Sequence, residues 1–182
     1  MVKSNTDSVL LFLRLVLWAA LISSVLAFAA VLVHGFALLL NADFQFLSNL
    51  NITIGHQNLT AEDLREAGTV KFLLFAVTIT AYLLLFIRLI AFALKILNKV
   101  DFENPFKAEI SALISKMGTV ALQLGILDFL SAALFSAIFH GEFRVDISFG
   151  NLNFFVIAAI LYIISLIFRR GTELQSETDL TI

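Results

Sequence analysis

Apolar residues in this chain run almost unbroken, over stretches as long as a bilayer is thick. Ser8 to Leu40 is interrupted only by Arg14, Ser23, Ser24, His34 and Gly35. A helix rising 1.5 Å per residue needs about 20 apolar residues to span, so this run predicts a first span over about 10–38. Further spans are predicted over about 72–97, 119–139 and 152–169, the last stopped by Arg169-Arg170-Gly171. Polar segments separate them: an outer loop over 41–70, a connector over 98–118, an outer loop over 140–151 and a tail over 170–182. Lys3 and the Ala27-Phe28-Ala29 triplet mimic a cleaved leader. Arg14 breaks the would-be apolar region, however, and Val31, Leu32 and Val33 continue past the triplet. The first span is therefore expected to be retained, and 1–182 reads as one membrane domain.

Charge sets the orientation. With the N-terminus inside, Lys3, Arg14, Arg88, Lys95, Lys99, Lys107, Lys116, Arg169 and Arg170 fall on the inner side. Arg65, Lys71 and Arg144 fall outside. Nine of the 12 cations on one side predict that both termini and the connector are cytoplasmic. Within the connector, Asn104-Pro105 supplies a capping side chain and a proline for the first helical position. Phe106, Ile110, Leu113, Ile114 and Met117 then recur at helical spacing, opposite Lys107, Glu109, Ser111 and Lys116. Two readings stay open: an amphipathic helix on the membrane face, or an extension of the third span.

The outer loops carry a weak repeat, Asn51-Ile52-Thr53-Ile54-Gly55 and Asp146-Ile147-Ser148-Phe149-Gly150. Each alternates polar and apolar residues before a glycine, as half-buried strands do. Leu50–Gly55 and Arg144–Phe149 are expected to pair as a two-stranded β cap. The fold class is thus an all-α membrane protein with four transmembrane helices, a small β cap and a connector helix. Thr60-Ala61-Glu62-Asp63 reads as a helix start.

Composition agrees with the pattern: 182 residues, 60% hydrophobic and 14% charged, with mean hydropathy +0.97. Soluble domains are about a quarter charged. A net charge of −2 offers no basic field for nucleic acid, so no direct nucleic-acid binding is expected. The absence of cysteine rules out disulfides and thiolate chemistry.

Few residues invite chemistry. Asp128 lies roughly 16 Å into the third span from its inner end, and Arg88 roughly 13 Å into the second. An unpaired charge at that depth costs about 2.5–3.5 kcal/mol. An Arg88–Asp128 pair assisted by Gln123 is the cheapest arrangement, either as a structural staple or as a proton-coupled switch. Arg14 is expected to snorkel to the inner interface. His34, His56 and His140 fall outside, with Glu142 near His140, but their spacing fits no ligand pattern; no metal and no cofactor are expected. Asn51 and Asn58 head glycosylation sequons. No phosphate-binding glycine loop and no nucleophile–histidine–acid set is present, so no catalytic residues and no enzyme are expected.

Asn104-Pro105-Phe106, and Gly171-Thr172-Glu173-Leu174-Gln175 leading to Asp179-Leu180-Thr181-Ile182, resemble a bacterial four-span family of unknown function, domain-of-unknown-function family 2975. The likeness covers nearly the whole chain in layout. It implies a gene neighbourhood with a small helix-turn-helix regulator of the Cro/CI type, and no catalytic residues. The expected role is then a regulatory or sensory protein of the bacterial inner membrane that controls that cytosolic transcription factor. Docking is expected through Phe106, Ile110, Leu113, Leu174, Leu180 and Ile182. The expected partners are the lipid bilayer, the regulator and a second copy of the chain. The rival readings are a small transporter or channel subunit using Arg88 and Asp128, and an envelope-stress or immunity protein.

Overall fold

A computed structural model describes residues 2–39, 51–54, 57–60, 68–100, 106–137 and 152–179. Four long helices dominate: α1 Val2–Leu39, α2 Thr69–Lys99, α3 Ala108–Phe135 and α4 Asn153–Asp179. Each contains a stretch long and apolar enough to cross a membrane: Ser8–Val33, Val70–Lys99, Ala108–Phe135 and Asn153–Glu177. Large apolar side chains stay exposed along all four, among them Phe12, Leu26, Val77, Leu130 and Ile163. Those side chains need lipid rather than water around them, and the protein is a multi-pass membrane protein.

Two of the helices run further than the hydropathy pattern suggested. α3 is continuous from Ala108, so the connector segment passes without a break into the third span. Its first turn is closed by Ile110 and Ser111, whose amides donate to the Lys107 carbonyl at 2.9 and 3.2 Å. Asn104 and Pro105, the expected cap, lie outside the described residues. α4 passes through Arg169-Arg170-Gly171 and stays helical to Asp179. Apolar sequence ends there, but the backbone hydrogen bonds do not, and a single glycine inside a helix costs only about 1 kcal/mol.

Between α1 and α2, β1 (Asn51–Ile54) and β2 (Gln57–Thr60) pair antiparallel, with Asn51 opposite Thr60 and Ile54 opposite Gln57. β1 was expected to pair with 144–149, but its hydrogen-bonded neighbour among the described residues is the next segment of the same loop. Arg144–Phe149 lies outside the described residues, and so do Ala61, Glu62 and Asp63 of the expected helix start. Gly68 precedes α2 with φ 85°, in the left-handed region that side chains disfavour, and its carbonyl accepts the Phe72 amide at 3.1 Å.

The contacts divide into two compact units. One comprises Met1–Ser23, Ile87–Leu122 and Phe154–Ile182; the other comprises Ser24–Phe86 and Gln123–Asn153. The second unit has a core of Phe72, Phe75 and Ile79 from α2 and Phe135 from α3, with Val31 of α1 packed against it. The Phe75 and Phe135 rings meet at 5.6 Å and 49°, a tilted geometry that aromatic quadrupoles favour.

Candidate functional site

The first unit holds the structured polar end of the helices, built on small residues. Cβ atoms of small side chains let two helices approach closely, the usual solution between helices in lipid. Gly118 of α3 faces Ala158, Leu161 and Tyr162 of α4, and a Cβ placed on it would meet the Leu161 Cβ at 3.4 Å. Two turns earlier, Ser111 donates from Oγ to the Ser165 carbonyl at 3.0 Å, tying the helices directly. Ile110 and Ile114 are buried at 1% and 5% exposure.

Before α3 begins, the Phe106 ring packs on Phe168 of α4 at 5.5 Å and 59°. The ring also occupies the space beside Gly171, where a Cβ would come within 2.3 Å of its Cδ1. Nearby, Lys99 at the end of α2 bonds Glu109 in the first turn of α3. Arg14 of α1 donates to the Leu97 carbonyl at 3.1 Å. That carbonyl belongs to the last turn of α2, where a cation complements the helix dipole.

Between α3 and α4 lies an open groove of about 490 Å³. One wall is Ala108, Ser111, Ala112 and Ser115. The other runs down α4 from Tyr162, Ser165 and Leu166 to Arg169, Thr172, Glu173 and Ser176. Four of its hydroxyls, those of Ser111, Ser165, Thr172 and Ser176, donate to main-chain carbonyls. Ser165 donates to the Tyr162 carbonyl at 2.8 Å, Thr172 to Phe168 at 2.9 Å and Ser176 to Glu173 at 2.7 Å. The Glu173 carboxylate accepts from Arg169 Nε at 3.4 Å and from an Arg170 terminal nitrogen at 2.9 Å. The walls therefore offer both acceptor oxygens and donors, the latter from Ser115, Tyr162 and the Arg169 guanidinium.

The residues singled out from sequence are distributed differently. Phe106 is 37% exposed, Leu113 is half-buried and Ile110 is enclosed, so these three do not form one open face. Leu174 is 63% exposed on the helical continuation of α4. Leu180 and Ile182 lie outside the described residues. Arg88 is exposed, with its guanidinium 5.8 Å from the Phe92 ring centre; Lys95 approaches the same ring at 5.7 Å. In the other unit, Asp128 is half-buried and acts electrostatically on the Tyr82 hydroxyl of α2. Its main-chain carbonyl accepts Ser131 Oγ at 2.9 Å. Gln123 is exposed. Arg88 and Asp128 belong to different units, and their pairing stands as a sequence expectation. The side chains of His34, Asn51 and Asn58, and all of His56, His140 and Glu142, lie outside the described residues; among the described residues no cluster could hold a metal.

The groove was missed from sequence, although its signals are there. Ala108, Ser111, Ala112, Ser115 and Gly118 recur at helical spacing as small residues, and Glu173 stands three and four positions after Arg170 and Arg169. A family model described as a protein of unknown function (DUF2975) matches residues 55–182. No curated protein and no solved structure matches the chain.

Proposed function

We propose that this chain, which belongs to the DUF2975 family, is a regulatory or sensory membrane protein whose output is read from the polar end of α4. The observation that carries this reading is Leu174. It is 63% exposed on a helix that outlasts its apolar segment by nearly three turns, among Arg170, Glu173, Ser176 and Glu177. An apolar anchor on a preformed helix is what a helix-in-groove partner recognises. A tail that only keeps the protein soluble has no need of it.

The partner in this reading is a cytosolic helix-turn-helix regulator, the class that the family resemblance implies. Both termini are cytoplasmic on the strength of the cation bias, and the membrane is the bacterial inner membrane that the family resemblance implies. A small β cap around β1 and β2 is the sensory element outside, and no catalytic step is involved. Deleting Thr172 to Ile182 is expected to leave the protein in the membrane while abolishing co-purification of the regulator and changing transcription of its targets. Leu174→Ser should weaken the complex in the same direction. A regulator retained at full yield by both variants overturns the proposal.

A further inference from the structure

We propose that Arg88 and Lys95 on α2 hold the phosphate of an anionic phospholipid at the edge of the bilayer. The inference concerns a different helix from the regulatory reading and does not depend on it. Seven residues make nearly two helical turns, so Arg88 and Lys95 share one face of α2, roughly 10 Å apart along its axis. Phe92 lies between them, and the Arg88 guanidinium and the Lys95 ammonium approach its ring to 5.8 and 5.7 Å. Both cations are exposed and the ring is half-buried. The ring attracts the two charges through its quadrupole, but as a neutral group it cancels neither. Other cations of the same unit are matched within the chain: Arg14 by the Leu97 carbonyl, Lys99 by Glu109, and Arg169 and Arg170 by Glu173. Among the described residues, Arg88 and Lys95 each contact Phe92 and no carboxylate reaches either.

Depth selects a lipid over a soluble anion. α2 has 31 residues, roughly 46 Å at helical rise against a hydrocarbon core of about 30 Å. Counted from Lys71 as one boundary, about 20 residues of rise end the core near Ala91, between the two cations. Arg88 reaches outward along its own stem, and Lys95 already stands in the headgroup layer. The turn before Arg88, Leu83-Leu84-Leu85-Phe86, is apolar and leaves acyl chains alongside. Charge then selects the head. Two cations without a carboxylate suit a phosphodiester, which the Arg88 fork grips through two N–H donors while Lys95 acts as a point charge. A choline or ethanolamine head brings its own cation to the same place, and a glycerol head does not.

The test is native mass spectrometry of the full chain released from nanodiscs containing equal parts phosphatidylglycerol, phosphatidylethanolamine and phosphatidylcholine. Retained phosphatidylglycerol should exceed each of the other two by fivefold or more. Arg88→Gln and Lys95→Gln should each lower that ratio, and the double variant should bring it close to one while the thermal midpoint stays within a few degrees of wild type. Lys95→Gln, close to the helix end, decides alone should Arg88→Gln unfold the protein. Lys116→Gln removes an equal charge from an exposed position of α3 and should leave the ratio unchanged, as should Asp128→Asn. Glycerol phosphate at millimolar concentration should not displace the lipid. Equal retention of the three lipids, displacement by the soluble head, or a wild-type ratio in folded Lys95→Gln would each overturn the assignment. So would an equal loss in Lys116→Gln, the mark of diffuse attraction, or a gain in Asp128→Asn, which would mean that Asp128 already answers Arg88.

Discussion

Phe106 and Gly171 show how one missing side chain positions a segment. A methyl group on Gly171 would overlap the Phe106 ring, which also packs on Phe168, so the ring would have to shift. Overpacking of this kind costs about 1–3 kcal/mol. Gly171→Ala is therefore expected to lower unfolding stability in detergent by that amount. In the Phe106→Ala background the same change should cost much less, because the atoms it collides with are gone. Gly118→Ala is the control: its nearest contact would be 3.4 Å, and the loss should be smaller than at Gly171. Equal losses at Gly171 with and without the Phe106 ring would show that the two residues are not in contact. Sequence marked both residues as family-like motifs. The reason they belong together is steric, and it depends on a contact between residues far apart in the chain.

At the scale of elements, hydropathy located the four apolar runs, and two of the helices run beyond them. A hydropathy run records which side chains accept lipid, whereas a helix ends where backbone bonding ends. Thr172, Glu173, Gln175, Ser176 and Glu177 are polar yet compatible with a helix, and the contacts of Arg169 and Arg170 with Glu173 lie within a turn. Of the two connector readings, the unbroken α3 agrees with an extension of the third span. That makes a prediction for single cysteines introduced into this cysteine-free chain. Ala108 and Glu109 are exposed, whereas Ile110 and Ile114 are buried. Cysteines at the first pair should react quickly with a water-soluble maleimide, and those at the second pair at least tenfold more slowly. Uniformly fast labelling at all four positions would mean that this segment is not packed as a helix.

For the whole molecule, the testable quantity is orientation. Nine of the 12 lysines and arginines fall on the side assigned as cytoplasmic, and positive residues near span ends are retained there during insertion. A phosphatase reporter fused after Ile182 is expected to be inactive and one inserted near Gln57 active, with the reverse pattern for a cytoplasmic fluorescent reporter. The opposite result would remove the charge argument, and with it the compartment in which a DNA-binding partner could reach α4. The structure makes a fold in water untenable, since Leu11, Phe12, Phe36 and Val77 are all more than 60% exposed.

The number of apolar helices, their approximate limits and the all-helical class were determined by sequence, because transfer of backbone and side chains into lipid depends on the composition of continuous stretches about 20 residues long. The neighbour of β1, the burial of Ile110 and the groove beside Ser111 and Ser165 were decided only by tertiary structure. Each depends on which faces of separate segments meet, and helical spacing supplies a face without naming its partner. Ile110 illustrates the difference. Its periodicity identified an apolar face, but the same face suits docking to another protein or packing within this one, and only its burial in the fold distinguishes them.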